Sequence, residues 1–258
     1  MKIQFLGTCA YDYVPELGTT FKNCLDKNAR RSASALIEGH ILIDCGDHTV
    51  EVLNILNIDY KDIDILLLTH LHIDHYQPEC IRKIAEAAER ELTIYVNKDG
   101  AFQLSQDLKG ANVIIHSVDF LQKIKVCNGI HITGLPANHT EYPVHYLLEK
   151  EDKRIFYAID GAWIMYDTFY ALRDIKLDLL VLDGTMGDYE GDRRIAEHNS
   201  IPMIRLMLES FRKFNMCKSA RVFITHIAPS LHKTHNETVE LLRNDGIEVA
   251  YDGLELEI

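Results

Sequence analysis

None of the six cysteines (Cys9, Cys24, Cys45, Cys80, Cys127 and Cys217) stands in a C-x-x-C pair. That spacing is what a zinc knuckle or a thioredoxin-type redox motif needs, so neither is expected. No stretch approaches the roughly 18–20 apolar residues that cross a bilayer. No membrane partner is therefore expected. The opening "MKIQFLGTCA" is too short in apolar residues and too alternating for a secretory leader. It reads as a strand, and the expected setting is the cytoplasm, with reduced thiols. Positive charge is also scarce: the formal net charge is −12. An acidic chain repels polyanions, which argues against nucleic acid as a partner. A small phosphate ester stays open, because a bound metal ion can reverse the local field.

What is present suits one globular domain. Hydrophobic residues make up 47% and charged residues 26% of the 258 residues. That allows a sizeable core without staples. No linker or composition shift divides the chain, so residues 1–258 are expected to form a single domain. "KIQFLG", "SALIEG" and "HILIDCG" read as short strands punctuated by glycine. Between them runs "YDYVPELGTTFKNCLDKNARR", a polar loop of the length that usually carries function. Further on, "PECIRKIAEAAER" and "IPMIRLMLESFRKFN" have helical periodicity. "IEVAYDGLELEI" reads as a terminal hairpin with an Asp-Gly turn. One internal echo stands out: "DILLLTH" and "RVFITHI" are both apolar strands ending in Thr-His.

The first echo opens the densest cluster of metal-liking side chains. His70, His72, Asp74 and His75 are spaced H-x-H-x-D-H directly after an apolar strand. Residues two apart on a strand share a side, so His70 and His72 can serve one ion. Asp74 and His75, past the strand end, can aim at a second. Imidazole suits first-row ions, and a carboxylate adds a harder donor. His139 in "GLPANHT", Asp160 in "FYAIDG" and His226 in "FITHI" also stand at or just past expected strand ends. Each alone is weak. Together the five histidines and two aspartates suffice for two ions with an open edge, the arrangement catalysis requires.

In their order, "HLHIDH", "ANHT", "AIDG" and "THI", with "IDCG" at Ile43 to Gly46, resemble the metallo-β-lactamase superfamily over nearly the whole chain. The resemblance implies an α/β (α+β) fold, a four-layer αββα sandwich with the metal site at one edge of the sheets. It implies that His70, His72 and His139 hold one ion, that Asp74, His75 and His226 hold another, and that Asp160 bridges them. Asp44 would orient the site from behind the ligands. The family usually has a glycine shortly after the first motif, whereas here the run is "DHYQPE".

The superfamily is chemically broad, so the fold does not name the substrate. A bridging Asp160 argues against antibiotic hydrolysis. "EHNS", at Glu197 to Ser200, opens the helix before "FITHI". Asn199 or Ser200 can cap that helix. In the phosphodiesterase branches, ribonuclease Z and the PhnP-type cyclic phosphodiesterases, a histidine occupies the place of His198, which implies a general acid. The PhnP type carries a cysteine cluster for an extra zinc in its early loop. This chain keeps only Cys24 there, so no third metal is expected. The expected activity is hydrolysis of a small phosphodiester or cyclic phosphate by a metal-bridging hydroxide, with Asp74 and His198 as catalytic residues. The cofactors would be two divalent ions, zinc or manganese, with iron an option. Ribonuclease Z-like RNA processing, a glyoxalase-type thioesterase and a non-catalytic metal-binding member are the alternatives. Asp183, in "LVLDGT", either supports a ligand histidine or forms an Asp-Gly turn. Lys27, Arg30, Arg31, Arg193 and Arg194 either grip substrate anions or are surface charges. Oligomeric state is left open, a homodimer being one option.

Overall fold

A computed structural model describes residues 1–13, 24–139, 143–190 and 196–258. Arg193 and Arg194 lie outside the described residues. The chain forms two compact units, Met1–Asp119 with Tyr251–Glu257, and Phe120–Ala250 with Ile258.

The first unit is built on β1 (Lys2–Gly7), β2 (Ser34–Ile37), β3 (Ile41–Ile43), β4 (Ile65–Leu67), β5 (Leu92–Asn97) and β6 (Val113–Val118). β1, β2 and β3 pair antiparallel, and β3 to β6 run parallel. Parallel neighbours need a crossover. It is supplied in turn by helices α1 (Thr49–Ile55), α2 (Pro78–Ala87) and α3 (Lys98–Asp107). The core gathers Leu42, Leu53, Leu66, Ile81, Ile84 and Ile94, all fully buried. The missing glycine after "HLHIDH" does no harm: α2 starts on Pro78 with Gln77 as N-cap, a first-turn place that proline's fixed φ suits.

The second unit has the same plan. β7 (Lys123–Cys127), β8 (Ile130–Pro136), β9 (Val144–Lys150) and β10 (Lys153–Ala158) form an antiparallel meander. β10 then pairs parallel with β11 (Leu179–Asp183), which continues to β12 (Arg221–Thr225) and β13 (Ile247–Val249). Helices α4 (Tyr166–Leu172), α5 (Ile201–Phe211) and α6 (His235–Leu242) make the crossovers. β11 is buried along its whole length, as the run "LLVLD" demands of a strand covered on both faces. Ser200, not Asn199, caps α5, accepting from Met203 N.

One sequence expectation is corrected. "IEVAYDGLELEI" is not a hairpin. β13 lies beside β12 in the second sheet, whereas the last strand, β14 (Glu255–Glu257), pairs with β1 in the first. The Asp-Gly turn separates two sheets rather than two paired strands. Asp252, in that turn, is buried and accepts from Thr8 Oγ1 at 2.8 Å and from Arg31 N at 2.8 Å. Arg30 and Arg31 are corrected with it. Both are buried, Arg31 against Glu51 at 2.9 Å and Arg30 donating to Thr8 Oγ1 at 2.6 Å. They knit the first unit and are neither surface charges nor available to an anion. Lys27 sits 4.0 Å over the Tyr251 ring.

Candidate metal centre

Six of the seven candidate ligands follow the carboxyl ends of strands with parallel partners, β4, β10 and β12, where α/β sheets present their functional groups; His139 follows β8 of the antiparallel meander. In the first unit, β4 runs into Leu68, Thr69 and His70. The rings of His70 and His72 are 4.4 Å apart and those of His70 and His75 are 4.3 Å apart. Asp74 Oδ2 lies 3.3 Å from His75 Nε2. The first motif therefore does gather its four side chains. Asp44, fully buried behind them with φ of 59°, takes His75 Nδ1 at 2.8 Å. It also accepts from Thr69 Oγ1 at 2.8 Å. Burial pushes the Asp44 carboxyl up from its ordinary value, and His75 and Thr69 pull it part of the way back.

Thr69 determines how His70 is held. Its hydroxyl proton goes to Asp44, so its 3.0 Å contact with His70 Nδ1 needs Nδ1–H as the donor. The chain runs His70 Nδ1–H to Thr69 Oγ1–H to Asp44. His70 Nε2 then carries the lone pair.

The second unit repeats this arrangement around Asp183. Thr185 Oγ1 donates to Asp183 Oδ2 at 3.0 Å and meets His226 Nδ1 at 2.7 Å. Asp183 also takes His198 Nδ1 at 3.0 Å and the backbone N–H groups of Thr185 and Asn199 at 3.0 and 3.1 Å. So Asp183 does both things the sequence left open: it supports a ligand-type histidine and it closes the turn at Thr185. His226 Nε2 is thereby turned to Asp160 Oδ2, 3.6 Å away. His139 Nδ1 donates to the Glu197 carbonyl at 3.1 Å, and its Nε2 lies 3.6 Å from Asp160 Oδ1. Asp160, Asp183, His198 and His226 bring ligand-type atoms within 4.8 Å of one another.

His198 does not cap a helix. Its Nδ1 lies 3.1 Å from Asp160 Oδ1 as well as 3.0 Å from Asp183. Burial alone would disfavour its charged form, but the Asp183 charge and the hydrogen bonds to Asp160 and Asp183 outweigh burial and raise it to about 10. Burial likewise works against the Asp183 anion, and the His198 and His226 contacts override it, holding Asp183 well below the usual carboxylate range.

The donor chemistry fits divalent ions. Four histidines, His70, His75, His139 and His226, have Nδ1 tied to a threonine, a carboxylate or a carbonyl, and such ties fix tautomer and ring orientation in metal-binding histidines. Asp74 and Asp160 are buried carboxylates. The roles of Thr69 and Thr185 in holding His70 and His226, and of Asn199 in tying the 161–163 turn, escaped the sequence reading. The one signal for the threonines is that each stands beside a motif residue, in "THLH" and "DGT". Cys24 is exposed.

Residues 40–227 match the Beta-lactamase superfamily domain. A ribonuclease Z of Clostridium acetobutylicum is 26% identical over 133 residues, covering 45% of this chain and 42% of that protein. The match thus spans less than half the length of that curated relative. Among solved structures, a diphosphatase from the PhnP family superposes with a TM-score of 0.76 at 24% identity, covering 100% of this chain and 98% of the other. Zinc-bound PqqB from Methylobacterium extorquens gives 0.78 at 17% identity, with 100% of both chains covered. Among the described residues no helix is long and apolar enough to cross a membrane. With two sheets, their crossover helices and the histidine–aspartate motifs in the order of its metal-dependent hydrolases, the chain belongs to the metallo-β-lactamase superfamily.

Proposed function

We propose that the protein is a dinuclear metal-dependent phosphodiesterase acting on a small phosphodiester or cyclic phosphate, one domain working as a whole. His70, His72 and His139 would hold one divalent ion, and Asp74, His75 and His226 the other. Asp160 would be shared by both. Zinc and manganese suit this mixed donor set, and iron is compatible with it. When bound, such an ion pair lowers the pKa of a water nucleophile and neutralises charge on the phosphoryl oxygens.

The chain's own residues do the rest. Asp44 and Asp183, through Thr69 and Thr185, hold His70 and His226 in one tautomer. Asp44 also fixes His75, and the Glu197 carbonyl fixes His139. His198 carries the reading. It is a part-buried imidazole whose Nδ1 lies 3.0 Å from Asp183 and 3.1 Å from Asp160. A protonated group there can give its proton to a leaving alkoxide. Asp183 then stabilises the imidazole's orientation through the step.

A ribonuclease Z-like activity is the second reading, favoured by the name of the curated relatives. The net charge of −12 weighs against a long polyanion. The test uses purified protein loaded with zinc or manganese and offered bis(p-nitrophenyl) phosphate, a precursor tRNA and a glutathione thioester. Phosphodiester hydrolysis abolished by a chelator is expected. Turnover of the thioester alone would overturn the reading, and turnover of the tRNA alone would transfer it to the ribonuclease.

A further inference from the structure

The turn that bears Asp160 also carries a surface that the chemistry above does not use. Trp163, the chain's one tryptophan, stands three residues after Asp160 and is 39% exposed. Its φ is 48°, a conformation bulky side chains rarely adopt. It is held there from another segment. Asn199 Oδ1 accepts from Trp163 N at 2.8 Å, and Asn199 Nδ2 donates to the Gly161 carbonyl at 2.9 Å. Asn199 directly follows His198. The segment that places the imidazole beside Asp160 thus also sets the indole.

A large ring held in a strained conformation and left in solvent points to use rather than packing. Tyr166 and Tyr170, on α4, are exposed as well, with ring centres 6.0 Å apart and 34° between planes. The Arg173 guanidinium lies 4.0 Å over the Tyr170 ring. An exposed indole offers a π face on which a base can stack whatever its sequence, and it stands on the turn that bears Asp160.

We infer that Trp163 is a stacking subsite for a nucleobase, so that the phosphodiester is a nucleoside phosphodiester. This deepens the phosphodiesterase reading and rests on it. The single tryptophan makes a direct test available. Adenosine 5′-monophosphate should quench the intrinsic emission saturably, while ribose 5-phosphate at equal concentration should not. Trp163→Ala should raise KM for adenosine 2′,3′-cyclic phosphate roughly tenfold, the scale of one base–aromatic stack. Trp163→Phe should recover most of that loss with metal content unaltered. Should the alanine variant not fold, the phenylalanine variant and the wild-type titration decide. Wild-type protein that hydrolyses bis(p-nitrophenyl) phosphate yet shows no quenching, or equal quenching by ribose 5-phosphate, overturns the subsite alone. Emission that follows protein concentration instead of nucleotide would give the face to a second copy of the chain and overturn it too. Failure to hydrolyse any phosphodiester overturns the underlying activity instead.

Discussion

His198 Nδ1 and Asp183 Oδ2 are 3.0 Å apart, and the same carboxylate oxygen takes the proton of Thr185, which holds His226. One buried aspartate therefore orients both a candidate acid and a candidate ligand. The two can be separated by choice of leaving group. His198→Ala should leave metal content and folding intact. With an alkoxide leaving group it should lose activity by roughly 10²–10⁴-fold, the range of general acid catalysis. With nitrophenolate, which departs unaided, the loss should be much smaller. Equal losses for both would assign His198 to substrate positioning instead.

Asp160 faces His139, His198 and His226 at 3.1–3.6 Å. Asp160→Ala should lower the bound metal per chain and abolish hydrolysis. Cys24→Ala should change neither. Elemental analysis of both purified variants is the check. Loss of one metal equivalent on changing Cys24 would reveal a third site and contradict the two-ion proposal.

Gly46 shows how closely the first motif is backed by its neighbour strand. A Cβ at Gly46 would lie 1.9 Å from the Asp74 carbonyl oxygen. Around it, Cys45 N donates to the His75 carbonyl at 2.7 Å and Gln77 N to the Cys45 carbonyl at 2.8 Å. Gly46→Ala must push the 74–77 backbone away. Overpacking of this kind costs about 1–3 kcal/mol or more. A lowered Tm together with weaker metal retention is expected. A variant with wild-type values of both would show that the loop shifts without disturbing Asp74.

His145 supplies a pH dependence with a definite sign. It is fully buried on β9, and burial lowers it to about 4, against the pull of its bond to the Ile159 carbonyl and of the Asp183 and Asp160 charges. In the unfolded chain its pKa is about 6.5. The unfolded state then binds the proton more readily, so this group's contribution is fully present above about pH 6.5 and declines as pH falls toward 4. Between pH 7 and pH 5 the loss should be about 2 kcal/mol. Urea titrations of metal-free protein at the two pH values would measure it. His145→Gln, which keeps a donor for Ile159, should lose about 2 kcal/mol less. An equal decline in both proteins would sink the assignment.

These residues also show what a sequence can and cannot reveal. "ILLLTHLHIDH" was legible because strand periodicity and ligand spacing are local, and Ser200 was legible as a cap for the same reason. Asn199 and His145 were not. Their partners, Gly161 and Ile159, lie 38 and 14 residues away, and nothing near either residue marks the pairing. The terminal hairpin misled because an Asp-Gly turn looks the same whether the strands it joins pair with each other or with different neighbours. Arg30 and Arg31 read as surface charges because the Asp252 that draws them inward stands 221 residues beyond Arg31.

The placement of β14 has a consequence for how the protein can be made. The first sheet takes its edge strand, and the Thr8–Arg31 network its carboxylate, from residues that follow the entire second unit. On the ribosome, the first unit must wait with an open edge until the second has been synthesised. A single cut at the boundary near Asp119 would likewise not yield two self-sufficient halves. The N-terminal piece would lack Asp252 and present β1 unpaired on one side, a template for association with other chains. The two units are distinct in contacts but share one ending, and vectorial synthesis completes the earlier one last.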